Sequence, residues 1–218
     1  MLDVLMPLPA NNLHLAPDCV YNLVDYTDVP LRIVAVVDGG PRKDIDDLER
    51  SFKETGVQWQ ISHDRKGKGL AKCLRDGLLL LQNTFVAYIP PQVRFLDSRW
   101  FGKAQRVLAV DPTCLVVDMQ PDSEGEALEP IKRSITGLVE GDSIFLARTA
   151  GLLEAPLPPF KKEWVQALEE WAYNSGFCAW NAPGVRYHLM EHEVHQRCRG
   201  SLEEEADPLG LQSPTTPD

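Results

Sequence analysis

The sequence predicts an α/β protein: a single three-layer, Rossmann-like domain whose central, mostly parallel sheet is flanked by helices. Three observations carry that prediction. Leu31–Asp38 (LRIVAVVD) is an almost unbroken apolar, β-branched run, which suits a strand buried on both faces of a parallel sheet. Further short strands are expected at Leu2–Met6, Val57–Ser62 and Thr84–Ile89, alternating with stretches of helical periodicity. The connections between them are short, as right-handed strand–helix–strand units require.

The chain opens on LDVLM, an apolar strand that runs into Pro7, Pro9 and the polar pair Asn11–Asn12. Apolar residues at Leu13, Leu15, Cys19, Val20, Leu23 and Val24 then predict a helix starting near Pro17–Asp18. The second strand ends in Asp38-Gly39-Gly40. A carboxylate at the carboxyl end of a parallel strand stands where ligands bind in open α/β sheets, and two glycines let a ligand approach the backbone. Asp38 reads equally as a cap for the next element. DIDDLERSFKET (Asp44–Thr55) follows with a helical pattern, then the third strand and the basic, glycine-bearing loop HDRKGKG (His63–Gly69). LAKCLRDGLLLLQ (Leu70–Gln82) predicts an amphipathic helix, and TFVAYI completes the series of strands.

This order of motifs resembles the inverting family-2-type glycosyltransferases, which have a GT-A nucleotide-sugar-binding fold. The resemblance runs through MPLPANN, VVDGG, RKGKGLAKCLRDG and TFVAYIPPQV, and more weakly through GDSIFLARTAGLL and NAPGVRYH, spanning about Leu2 to His192. It implies a nucleotide-diphospho-sugar donor held by Pro7, Asn11, Asp38, Gly39, Arg65, Lys66, Lys68, Gln92 and Arg94. It also implies an acceptor hydroxyl as the second substrate; whether a glycan, a protein, a small molecule or a modified base bears it stays open.

The chain departs from that family where relatives carry two carboxylates around a divalent metal. Here the segment reads Ile89-Pro90-Pro91-Gln92-Val93, which offers no hard anionic oxygen to Mg²⁺ or Mn²⁺. Arg65, Lys66, Lys68, Arg94 and Arg99 are the cations that would neutralise a leaving diphosphate instead, unless they are plain surface charges. Relatives use an acidic pair at a helix N-terminus as base. Within Pro159–Phe177 only Glu163 stands near that position, and it serves either as the base or as a first-turn residue favouring the helix dipole. His188 corresponds to a late histidine that completes the metal site in many relatives. His188, His192 and His195 would share a face of a terminal helix, a spacing that suits a half-buried helix better than a metal site.

Three functions are therefore in play: a glycosyltransferase with an atypical or metal-independent donor site, an inactive binding or scaffold protein of the same fold, and a nucleotidyltransferase. The last lacks the basic glycine loop after its first strand. Composition agrees with one enzyme-sized domain: 218 residues, 44% hydrophobic, suffice for a substantial core. The net charge of −10 argues against general nucleic-acid binding. Five cysteines without a C-x-x-C spacing suit a reducing, cytoplasmic setting. No secretory signal is recognisable, and no apolar run is long enough for a membrane span. The stretch 120–132 is polar and reads as a loop. The expected division is a nucleotide-sugar-binding domain over 1–199 and an acidic, disordered tail over 200–218.

Overall fold

The computed structural model describes residues 1–64, 67, 69–119, 132–133, 144–155, 171–172, 174–181, 185 and 187–190. Four parallel strands build one half of the sheet: β1 (Leu2–Pro9), β2 (Leu31–Asp38), β3 (Gln58–Asp64) and β4 (Phe85–Tyr88), in the order β3-β2-β1-β4. Both β1 and β2 are buried along their length save the last residue, as their largely apolar runs require; the charged exceptions, Asp3 and Arg32, pair with each other. The other half holds β6 (Cys114–Met119), β7 (Lys132–Arg133), β8 (Ile144–Arg148) and β9 (Cys178–Asn181), and extends the order as β4-β8-β6-β9-β7. Here β8 runs antiparallel to both β4 and β6, while β6 and β9 are parallel. A separate pair joins β5 (Val93–Phe95) to β10 (Tyr187–Leu189).

Right-handed crossovers put α1 (Ala16–Asp25) and α2 (Arg42–Thr55) on one face and α3 (Leu70–Leu78) on the other, because the chain moves outward from β1 to β3 and then returns to β4. Cys73, Leu74 and Leu78 of α3 pack in one cluster with Leu5, Val34, Val36, Val86, Tyr88 and Phe145. Gly77 sets how closely α3 lies on the sheet: a Cβ there would stand 2.3 Å from Val36 Cγ2 and 2.9 Å from Leu5 Cδ1. Gly77→Ala is therefore expected to lower stability by about 1–3 kcal/mol through overpacking, despite the better helix propensity of alanine. A urea midpoint at or above that of the wild type would contradict this. The helices α4 (Trp100–Val110) and α5 (Thr149–Glu154) also belong to the described layers; Trp100 stacks on Phe95 at 4.4 Å.

Three expectations change. The helix predicted over Leu70–Gln82 ends at Leu78, because buried polar groups at the amino ends of the strands claim the backbone beyond it: Arg32 Nη1 donates to Leu80 O (2.9 Å), and the Gln82 and Asn83 N–H groups donate to Asp3 Oδ2 (2.6 and 2.8 Å). His188 lies on β10 rather than on a helix, since Tyr187 is drawn into the core, its hydroxyl donating to Met119 O at 2.9 Å. A face shared with His192 and His195 therefore does not begin there; those two lie outside the described residues. Lys132, read as loop, begins β7, which pairs antiparallel with β9.

The compact unit carrying the sheet ends at His188, and residues 199 and 200 lie outside those described. Cys19, Cys73, Cys114 and Cys178 are buried free thiols. Among the described residues, no helix is long and apolar enough to cross a membrane.

Candidate functional site

The strand order reverses at β1, which is flanked by β2 on one side and β4 on the other. Crossovers leave such a switch point in opposite directions, so a crevice opens at its carboxyl end. The ladders show where it begins. The β1–β4 register ends at Leu5↔Tyr88, with Ile89 N–H donating to Leu5 O (3.1 Å), whereas β1 and β2 stay paired up to Pro9↔Asp38. Beyond Leu5 the prolines at 7 and 9 have no N–H to offer a neighbouring strand. The chain after β4 turns away at Pro90, whose carbonyl accepts from Val93 N–H at 3.3 Å.

Asp38 closes β2 at this level, beside Asp64 of β3. It is half-buried, and its Oδ1 accepts from Gly69 N–H (3.2 Å) and from the Cys73 thiol (3.7 Å). Among the described residues Oδ1 is anchored by two donors and Oδ2 has no hydrogen-bond partner. Gly39 and Gly40 carry φ of +79° and +99°, and a Cβ on Gly40 would strike Leu13 Cδ2 at 2.8 Å. That turn is closed by Gly39 N–H donating to Asp64 O at 3.0 Å. The glycine loop leans on the same group: a Cβ at Gly67 would sit 3.8 Å from Asp38 Oδ1. The strand-end acid and the glycine loop therefore form one constellation.

Burial, followed by the carboxylates of Asp38 and Asp64, pushes the Cys73 thiol up to about 11, so it remains protonated and a donor at neutral pH. Cys73 also belongs to the apolar core, and the pairing of β2 with β3 and the docking of α3 bring it to Asp38.

The remaining expected residues separate. Pro7 is buried within β1, opposite Val36, whereas Asn11 is exposed in the turn that follows β1. Gln92 is 5% exposed and sits in the turn after β4. Arg94 points its guanidinium at Asp18 in the first turn of α1 (3.2 Å), so its charge is already met by a carboxylate. Arg65, Lys66, Lys68 and Glu163 lie outside the described residues, as does the side chain of His188. A groove of roughly 390 Å³ opens at the amino ends of the strands instead, lined by Met1, Val24, Pro30, Leu31 and Val57 among others, with no titratable side chain for chemistry.

Solved structures decide the architecture. Over 97% of this chain the fold matches residues 1–349 of TarS from S. aureus, with a TM-score of 0.65 and 15% identity. The fold is GT-A. A mannosyltransferase from Pyrobaculum calidifontis, solved with GDP-Man and Mn²⁺, matches 85% of the chain at a TM-score of 0.65 and 15% identity. Glucosyl-3-phosphoglycerate synthase from Mycobacterium tuberculosis matches 96% at a TM-score of 0.51 and 15% identity. TarS is also solved with UDP-GlcNAc, matching 85% of this chain at 14% identity. This GT-A chain matches 66% of the TarS fragment, 55% of the mannosyltransferase and 81% of the synthase, so it spans about two thirds or less of the first two. No family model matches it, and no curated protein matches it by sequence.

Proposed function

We propose that this chain binds a nucleotide-diphospho-sugar across the carboxyl ends of β1, β2 and β3 and transfers the sugar to an acceptor hydroxyl. The observation that carries this reading is Asp38, anchored through Oδ1 and presenting Oδ2 beside a switch point of a GT-A sheet. An ionised carboxylate only accepts hydrogen bonds, so its ligand partner is a donor such as a base N–H or a ribose hydroxyl. Neighbours of the same fold are solved with UDP-GlcNAc and with GDP-Man, which supports a nucleotide sugar as the ligand class. Arg65, Lys66 and Lys68 are the cations for the diphosphate. In the transfer, the acceptor oxygen attacks the anomeric carbon as its proton passes to Glu163. The bond from that carbon to the diphosphate breaks, and the nucleoside diphosphate leaves with the electron pair.

A divalent metal at the end of β4 does not fit these residues. Pro90 and Pro91 carry no ligand atom in their side chains, and the Gln92 amide is a neutral, buried donor for a hard cation. Among the described residues no group of three or more His, Cys, Asp or Glu side chains is placed to hold a metal. The same departure favours a second reading, a GT-A protein kept for binding without turnover.

Calorimetric titration with UDP, GDP, TDP, CMP and their sugars, first in EDTA and then with Mn²⁺, separates these readings. Binding that persists in EDTA is expected. Asp38→Ala should weaken it by about 1–3 kcal/mol while the folded state survives. A strict Mn²⁺ requirement would overturn the metal-independent site. Binding without transfer to any acceptor would favour the binding protein, and no binding by any nucleotide would end the donor-site reading.

A further inference from the structure

The constellation at Asp38 contains one core side chain whose polar atom the proposed activity does not use. Cys73 belongs to α3, is 3% exposed, and places its Sγ 3.7 Å from Asp38 Oδ1. Its own backbone N–H donates to Gly69 O (3.3 Å), and Gly69 N–H in turn donates to the same Oδ1 at 3.2 Å. Two donors from the first turn of one helix thus converge on a single oxygen of a carboxylate carried by a strand. A carboxylate held by one donor still swings about its side-chain torsions; two donors on one oxygen hold the plane of the group and thereby aim the second oxygen.

We propose that Cys73 is a positioning residue for Asp38: its thiol, with Gly69 N–H, locks Oδ1 so that Oδ2 faces the nucleotide. The inference rests on the donor-site reading given above. Its physical support is that the thiol keeps its proton at neutral pH, as burial and the flanking carboxylates require. Cys73 itself touches no ligand. Its effect on binding therefore has to pass through Asp38, and any change that spares Asp38 must spare affinity too.

A double-mutant cycle tests this, with UDP as the probe and calorimetry as the readout. Cys73→Ala should weaken UDP about three- to tenfold, the scale of one lost hydrogen bond. Cys73→Ser, which keeps a donor, should stay within about twofold of the wild type. In the Asp38→Ala background, Cys73→Ala should change nothing further. Equal losses for serine and alanine would reduce Cys73 to packing, and a loss that persists without Asp38 would show that it acts elsewhere; either result overturns the proposal.

A second measurement keeps it testable if UDP does not bind the wild type, a result that by itself counts against the donor site and not against the contact. The pH titration of the Cys73 thiolate absorbance at about 240 nm, taken as the difference from Cys73→Ala, should move to lower pH in Asp38→Asn, because the neighbouring carboxylate is one of the groups that disfavour the thiolate. An unchanged profile would show that thiol and carboxylate do not interact, and the positioning role would fall.

Discussion

Replacing Asp3 by alanine is expected to cost about 3–5 kcal/mol of stability, the usual result of leaving a buried charge without its partner. Asp3 is fully buried on β1, and its two oxygens accept four hydrogen bonds: Arg32 Nη1 (3.2 Å), Asn83 Nδ2 (2.8 Å) and the Gln82 and Asn83 N–H groups (2.6 and 2.8 Å). Arg32 is also nearly buried and bridges to Leu80 O and to Gln60 Oε1, each at 2.9 Å. The pair therefore ties together the amino ends of β1, β2 and β3 and the connection from α3 to β4. Alanine would strand the guanidinium and two backbone donors at once, which exceeds the loss of one ordinary hydrogen bond. Urea unfolding should show the drop in midpoint with an unchanged slope. The double variant Asp3→Leu with Arg32→Met should lose less than Asp3→Ala, since it leaves no orphaned charge. The cluster lies at the opposite end of the sheet from Asp38, so nucleotide affinity of the folded protein should not change. A loss below about 1 kcal/mol for Asp3→Ala would show that water reaches the site and replaces the carboxylate.

Glu163→Gln should lower turnover by about 10²–10⁴ while donor affinity stays near that of the wild type. In an inverting displacement the acceptor hydroxyl becomes acidic only as its oxygen bonds to the anomeric carbon, so a base has to receive the proton during that step. Glutamine keeps the size and packing of glutamate but replaces one accepting oxygen with an NH2 donor and removes the charge, so it cannot take the proton. A loss confined to kcat is therefore the signature of a base, whereas a rise in KM alone would assign Glu163 to binding. An unchanged rate would move the base to another carboxylate, with Asp142 and Glu140 the candidates. The absence of turnover in wild type and variant alike would favour the binding protein.

Much of the architecture was legible because it follows from local chemistry. Apart from Asp3, Arg32 and the terminal Asp38, the runs Leu2–Pro9 and Leu31–Asp38 are apolar at successive positions, and only a strand covered on both faces makes use of that. Asp38-Gly39-Gly40 marked the carboxyl end of a strand, and the two glycines take the positive φ that such a turn demands. Alternation of these strands with helical segments was enough to predict a parallel sheet, and chirality then leaves few ways to order it.

What escaped the sequence depends on partners far away along the chain. The end of α3 at Leu78 is set by Asp3 and Arg32, which compete for the backbone that helical periodicity assigns to a longer helix. The strand at Tyr187–Leu189 exists because β5 is there to pair with it, and no local pattern announces that partner. Sequence alone thus determined the layers, the strands of the first half and the placing of a carboxylate at the carboxyl end of a parallel strand, since these follow from side-chain periodicity and backbone handedness. Tertiary structure alone decided that Cys73 meets Asp38, that Arg94 gives its charge to Asp18, and that Asp3 anchors the opposite end, because hydrogen bonds and ion pairs act over a few ångströms of space whatever the separation in sequence.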